Sequence, residues 1–205
     1  MMTPSTPFPT LAPILAPILA PIAAPVVVSP IETSRLVTAL APRVLAVTRA
    51  VLGRGHSDVD DAYQQAMLEL IRALPSFRGE CEPIYFASRI AARTALAVAR
   101  RSRAAFSRRD DAADVDRIAV DDAPAPVEDE MEQKQRMELL RALLARLPEE
   151  QAETLTLRVM LGWSLPAVAA ATGVPLNTVR SRVRLAKNAL RAAVEADPRF
   201  DRRTV

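Results

Sequence analysis

The sequence predicts an all-α protein of two small helical domains joined by a flexible acidic linker. Beyond Ile31 the chain has few glycines and no Asn-Gly or Asp-Gly pair of the kind that closes β-hairpins. The same stretch is rich in Ala, Leu and Arg, with apolar residues recurring at three- and four-residue steps, the period of a helix with one buried face. Acidic residues are concentrated in one place: Asp110 to Glu138 holds eleven Asp and Glu against Arg117, Lys134 and Arg136, and includes Pro124 and Pro126. The first half of this stretch reads as a flexible acidic linker that separates two folded units.

The first segment, residues 1–30, differs from the rest. No charged side chain precedes Glu32, and the tetrapeptide LAPI runs three times in tandem from Leu11 to Ile22. Pro13, Pro17, Pro21 and Pro25 would each remove a helical hydrogen bond. The segment therefore reads as a low-complexity tail, extended and polyproline-like or disordered. The alternative is a membrane or export segment, because Leu11 to Val28 approaches the roughly twenty apolar residues of a span. No basic region precedes it, and no membrane association is expected.

The first helical domain covers residues 31–109. Pro, Gly and Ser cluster at Gly53 to Ser57 and at Leu74 to Pro83, dividing it into about three helices. Residues 110–130 form the acidic linker. Its simplest role is a solvated spacer; the alternative is that it competes with DNA for the basic faces on either side. The second domain covers 131–197. It begins with a helix whose Met137, Leu140, Leu143, Leu144 and Leu147 share a face and which Pro148 ends, and three further helices follow. Residues 198–205 are a C-terminal tail.

The net charge of +3 hides this separation of basic from acidic stretches. One cysteine, Cys81, and one histidine, His56, supply neither an internal disulfide nor a four-ligand zinc site, so no metal or cofactor is expected and a reducing cytoplasm suits the chain. A lone Cys81 is an incidental thiol or, less simply, a redox sensor. His56 reads as a turn residue.

The segment from Ser164 to Arg191 has the spacing of a helix-turn-helix: a small residue where the helices touch, Ala169; a turn residue that accepts positive φ, Gly173; and an apolar residue returning from the second helix, Val179. Ser164 suits the N-cap of the first helix and Gly173 its C-terminal stop. In the second helix Leu176, Val179, Val183, Ala186 and Leu190 would face inward. Arg180, Arg184, Lys187 and Arg191 then line the opposite side, with no Asp or Glu between Leu176 and Ala193. An arginine-rich surface helix would share the stripe but not the preceding helix and turn. The pattern therefore points to DNA. Asn177, Thr178, Arg180, Ser181 and Arg182 are assigned to the DNA-facing N-terminal end, and Arg184 and Lys187 to the phosphate backbone. Leu161 and Trp163, just before the capped helix, read as core or staple residues.

From about Leu36 to Ala196 the chain resembles the bacterial RNA polymerase sigma factors of the extracytoplasmic-function (ECF) type. LPEEQAETLTLRVMLGWSLPAVAAATGVPLNTVRSRVRLAKNALR, from Leu147, is similar to region 4, which reads the minus thirty-five element. DVDDAYQQAMLELIRALPSFRGE, from Asp58, and RIAARTALAVARRSR, from Arg89, resemble region 2. The resemblance implies contact with core RNA polymerase through Asp61, Gln64, Gln65, Glu69 and Arg72, where a plain solvated face is the alternative. It also implies capture of a flipped minus ten base by the loop from Phe77 to Glu82, with Phe77, Arg78 and Glu80 as candidates. Arg89, Arg93, Arg100 and Arg101, together with Arg103, supply the basic surface an opened strand needs, since no acidic residue occurs from Ile84 to Arg109. Tyr85 and Phe86 either replace lost base stacking or are buried aromatics. The helical pattern itself buries Ala62, Ala66 and Leu70, with Met67 at the edge of that stripe, and leaves Asp61, Gln64 and Arg72 outside. The chain departs from the family at Gln65, usually glutamate; Pro83, usually phenylalanine; Ser88, usually aromatic; Arg93, usually asparagine; and Ala97, usually aspartate.

The expected function is that of a sigma factor, which binds core RNA polymerase and promoter DNA and carries no catalysis of its own; the resemblance leaves room for an anti-sigma factor as a further partner. The alternative is a stand-alone helix-turn-helix regulator whose first domain dimerises or senses a signal. A helical enzyme is the third class, but no metal-ligand cluster, glycine-rich nucleotide loop or nucleophile-base pair supports it.

Overall fold

The computed structural model describes residues 30–110 and 128–195, all the regular structure of which is helical. The LAPI repeats, residues 111–127 of the acidic linker and the C-terminal tail lie outside the described residues. Helix α1 is Pro30–Leu52, α2 is Val59–Ala73 and α3 is Pro83–Asp110, the three helices expected for the first domain. Helix α4 is Glu128–Leu144, starting a turn earlier than the expected boundary at 131; α5 is Glu149–Leu155, α6 Leu165–Thr172 and α7 Leu176–Glu195.

In α1, Leu36, Leu40, Val44, Val47 and Val51 recur at four- and three-residue steps and are all buried. Thr48, buried among them, satisfies its hydroxyl by donating to the carbonyl of Val44 (2.9 Å). The chain turns at Gly53, whose φ of +99° few other residues tolerate. His56 is the turn residue expected, its Nδ1 accepting from the Asp58 N–H (3.2 Å). Helix α2 buries Ala62, Ala66 and Leu70, as its pattern requires.

Helix α3 lies against both α1 and α2. It does so through alanine: Ala87, Ala91, Ala92 and Ala95 are fully buried, and side chains this small let helices approach closely. Ser88 belongs to the same face. Its Oγ donates to the Ile84 carbonyl (2.6 Å) and accepts from Arg43 Nε on α1 (2.9 Å). An aromatic ring at this buried position would displace that arginine, which gives the departure at Ser88 a local reason.

The second domain is built around Leu144, Ala152, Leu155, Leu157, Val168, Val179 and Ala186. The stripe read from the first helix is present, with Leu143, Leu144 and Leu147 buried and Met137 and Leu140 half-buried. Helix α5 widens at its end into a π-type turn, Thr156–Met160. The buried residues of both domains form one continuous cluster, so the domains pack on one another as well as being joined in sequence.

The α2–α3 contact has a titratable element. Asp58 precedes α2, and its carboxylate accepts from Ser102 of α3 (2.7 Å) and from Ser57 (2.9 Å). These two bonds, Ser102 first, hold its pKa below the usual carboxylate value. A lowered folded pKa contributes stability that is present above the unfolded value of about 3.9 and is lost as pH falls through the folded value. Replacing Asp58 by Asn keeps an acceptor but removes the charge. Urea unfolding should therefore show Asp58→Asn slightly less stable than the parent at neutral pH, a small difference because the carboxylate is solvent-screened, with the gap closing as pH falls through the lowered folded-state pKa.

Candidate nucleic-acid interface

The helix-turn-helix is specified at both ends by local chemistry. Ser164 Oγ accepts from the Ala167 N–H (3.2 Å) at the start of α6, and Gly173, at φ +68°, ends it while donating to the Ala169 carbonyl (2.9 Å). Pro175 then leads into α7. Val179 and Ala186 are buried there, and Leu176, Val183 and Leu190 are half-buried, which fixes the rotation of the helix. Asn177, Arg180, Arg184, Lys187 and Arg191 are consequently exposed on one side, with Thr178 and Ser181 half-exposed. Arg180 donates to Asn177 Oδ1 (3.0 Å), aligning the two side chains at the N-terminal end of the helix.

Arg182 is placed differently from its neighbours. Its side chain is only 17% exposed and is ion-paired through Nη2 with Glu150 Oε2 of α5 (2.5 Å). It therefore ties α7 to α5, a role no local pattern announces because the partners are 32 residues apart.

The arginines of α3 also have protein partners, on the second domain. Arg89 Nε donates to Glu153 Oε1 of α5 (2.7 Å), and its Nη1 to the Ala171 carbonyl at the end of α6 (3.1 Å). Arg93 pairs with Glu149 (3.2 Å). Arg100 donates to the Leu147 carbonyl (3.2 Å) and Arg103 to that of Ala142 (3.0 Å). Desolvation lowers the pKa of Arg103, although a guanidinium stays charged throughout the physiological range. Tyr85 meets Trp163 edge to face, ring centroids 4.6 Å apart, so Trp163 is a core residue as read, at the junction of the two domains. Phe86 packs on Phe77 (4.8 Å).

The loop before α3 turns at Gly79, φ +72°. Arg78 and Glu80 are exposed on it and pair loosely (3.7 Å). Cys81 is half-buried, and desolvation raises its pKa, which keeps the thiol protonated and unreactive. Between this loop and the Ala170–Gly173 end of α6 lies a small cleft of about 150 Å³.

On α2, Asp61, Gln64, Gln65 and Arg72 are exposed. Gln65 and Glu69 are engaged by hydrogen bonds: Gln65 Nε2 donates to Glu69 Oε1 (3.2 Å), Arg101 Nη2 to Gln65 Oε1 (3.4 Å) and Thr94 Oγ1 to Glu69 Oε2 (3.0 Å). The same face carries two residues that the sequence reading did not single out, Leu68 at 53% and Ile71 at 45% exposure. Both fall off the Ala62–Ala66–Leu70 stripe, and that offset was the available signal.

The family model for Sigma-70 region 2 matches residues 36–105, and that for Sigma-70, region 4 matches residues 137–190. The ECF RNA polymerase sigma-E factors of Escherichia coli K12 and Salmonella typhimurium LT2 are each 32% identical over 142 residues, 65% of this chain and 72% of theirs. The chain belongs to the ECF sigma factors. A solved complex of the sigma factor RpoE with the anti-sigma factor NepR from Bartonella quintana shows 20% identity over 80% of this chain and 97% of that one, with a TM-score of 0.47.

As an ECF sigma factor the chain binds core RNA polymerase and directs it to promoter DNA. The stand-alone regulator is set aside, because the first domain matches region 2. No helix among the described residues is long and apolar enough to cross a membrane.

The Arg182–Glu150 pair makes a measurable distinction within this sigma factor's region 4. Loss of a phosphate contact reduces the salt slope of DNA binding by about one, whereas loss of a positioning pair lowers affinity without changing the slope. Holoenzymes carrying Arg182→Ala or Glu150→Ala should bind a promoter duplex a few-fold more weakly at every salt concentration. Both should retain the parent slope in an anisotropy titration.

Proposed function

We propose that this ECF sigma factor meets the promoter with α7 and α3 and meets core RNA polymerase with α2. The observation that carries the reading is the rotation of α7. A buried Val179–Ala186 side and capped ends on the preceding helix leave the Asn177–Arg180–Arg184–Lys187 side exposed, with three cations and no carboxylate on it. On this reading the N-terminal residues Asn177, Thr178, Arg180 and Ser181 reach base edges of the upstream element, and Arg184 and Lys187 hold phosphates. Arg182 acts behind them through Glu150.

In region 2, Phe77, Arg78 and Glu80 line the loop that would take a flipped base, and Arg89, Arg93, Arg100 and Arg101 follow the opened strand. The polymerase contact centres on exposed Leu68 and Ile71, with Asp61, Gln64, Gln65, Glu69 and Arg72 around them. An apolar centre with a polar rim is the usual anatomy of a specific protein interface. The factor contributes binding and orientation, and the covalent chemistry is the polymerase's. It works in the cytoplasm, where a bacterial polymerase meets its promoters. We also propose an anti-sigma factor as a regulatory partner.

Reconstitution from purified chain, core polymerase and promoter DNA tests this reading through open-complex formation and transcript initiation. Arg180→Ala with Arg184→Ala should weaken promoter binding by the holoenzyme about ten-fold and reduce its salt slope by about two, with core affinity unchanged. Leu68→Asp with Ile71→Asp should do the converse, abolishing association with core while helicity and thermal unfolding stay near those of the parent. A chain that binds the duplex specifically alone and never joins core would overturn the proposal.

A further inference from the structure

We propose that Arg43 of α1, held in place by Ser88 of α3, binds a backbone phosphate of the opened minus ten strand, a contact separate from the arginine row of α3. This rests on the reading that region 2 follows that strand. The observation behind it is a half-buried cation with no anionic partner among the described residues.

The other half-buried arginines among the described residues all reach a carboxylate or a backbone carbonyl. Arg89 and Arg182 have glutamates, and Arg100, Arg103 and Arg141 have carbonyls. Arg43 has only a hydroxyl: its Nε donates to Ser88 Oγ (2.9 Å). Ser88 in turn gives its one proton to the Ile84 carbonyl (2.6 Å), so a lone pair is what it turns to the guanidinium. Burial lowers the pKa of Arg43, and the opposing influence is the phenol of Tyr85, not a carboxylate. A guanidinium stays charged under such conditions, and a charge partly withdrawn from water without a counter-charge favours an anion that supplies one.

The outer N–H groups are open to that anion. Nη1 and Nη2 have no acceptor among the described residues, and neither is sealed inside the protein, since the buried side-chain polar atom left without a partner there is Thr156 Oγ1 alone. Fixing Nε leaves the Nη1–Nη2 edge as a fork, which matches two oxygens of a phosphate. Ser88 is fully buried, and the aromatic ring usual at its position in the family would displace the arginine. The buried hydroxyl serves to aim a cation.

Placement favours nucleic acid over a protein carboxylate. Ser88 lies in the second turn of α3 and adjoins Arg89, and the Phe77–Glu82 loop, which would take the flipped base, ends where α3 begins. Arg43 therefore brings a cation from α1 to the N-terminal part of α3, where that loop runs into the arginine row. The face proposed for polymerase is on α2, around Leu68 and Ile71, whereas Arg43 is anchored to α3.

The test uses holoenzyme and a promoter whose minus ten element is held open by mismatches, with single phosphates across that element, on either strand, replaced in turn by uncharged methylphosphonate. Arg43→Ala should bind the unmodified template about ten-fold more weakly and with a salt slope lower by about 0.7, the value for one phosphate of a single strand. At one phosphate, methylphosphonate should weaken the parent holoenzyme by a similar factor and cost Arg43→Ala nothing further. Costs that add at every phosphate would overturn the proposal. So would a loss of core affinity in Arg43→Ala with parent-like promoter binding by the assembled holoenzyme, which would assign the arginine to a polymerase carboxylate.

Two further variants separate charge from packing. Arg43→Lys keeps the charge without the fork, and should keep the parent salt slope while losing part of the affinity; a slope as low as that of Arg43→Ala would overturn the contact. Ser88→Ala removes the acceptor that aims the guanidinium, and should lower affinity a few-fold with the slope unchanged; affinity equal to the parent's would overturn the positioning role of Ser88. Failure of the strand reading itself would look different, because no methylphosphonate in the minus ten element would then weaken the parent holoenzyme.

Discussion

Helix α3 has to satisfy neighbours of opposite chemistry, and most of the structure follows from how it does so. Toward α1 and α2 it presents Ala87, Ala91, Ala92 and Ala95, which contribute little apolar area each but allow close approach. Larger apolar side chains complete the core: Leu40, Val44 and Val47 on α1, Leu70 on α2 and Leu96 of α3 itself are all buried. Toward region 4 it presents arginines, whose long stems lie along the protein while their planar ends reach carboxylates and carbonyls. An alanine side sets the first domain, and an arginine side sets how the second domain meets it.

The acidic partners of those arginines lie on the short helix α5, which also supports α7. Glu150 faces Arg182 of the recognition helix, while Glu149 and Glu153 face Arg93 and Arg89. Three glutamates within five residues thus point to two different basic surfaces. The Glu150–Arg182 tie lies wholly within region 4, whereas the other two cross to region 2.

Legibility in the sequence followed the range of the interaction. The caps at Ser164 and Gly173, the inward face of α7 and the Ala62–Ala66–Leu70 stripe depend on residues within a few positions of one another, and periodicity and turn chemistry expose them. The family resemblance supplied the identity of the two domains. Arg182–Glu150 and Arg89–Glu153 are separated by 32 and 64 residues, and nothing in a local pattern distinguishes an arginine that will meet a glutamate from one that will meet water. Leu68 and Ile71 were legible in principle, as apolar residues off the buried stripe, but the polar residues around them dominated the reading. Ser88 was visible as a departure, and its reason, Arg43 on α1, needed the fold.

Guanidinium groups suit α3 to more than one kind of partner. A carboxylate, a helix-terminal carbonyl and a phosphate each offer anionic or partly negative oxygens, and the fork of an arginine matches all three with the same N–H geometry. An arginine of α3 that holds region 4 here can therefore hold a phosphate with the same atoms. A lysine at Arg89 would not serve equally: its single ammonium could hold Glu153, but could not keep the same planar reach to Ala171 behind it. The contacts to region 4 share their arginines with the contacts proposed to follow the opened strand. Substituting one of those arginines must change both equilibria at once, and only the glutamates on the opposite side separate the two effects.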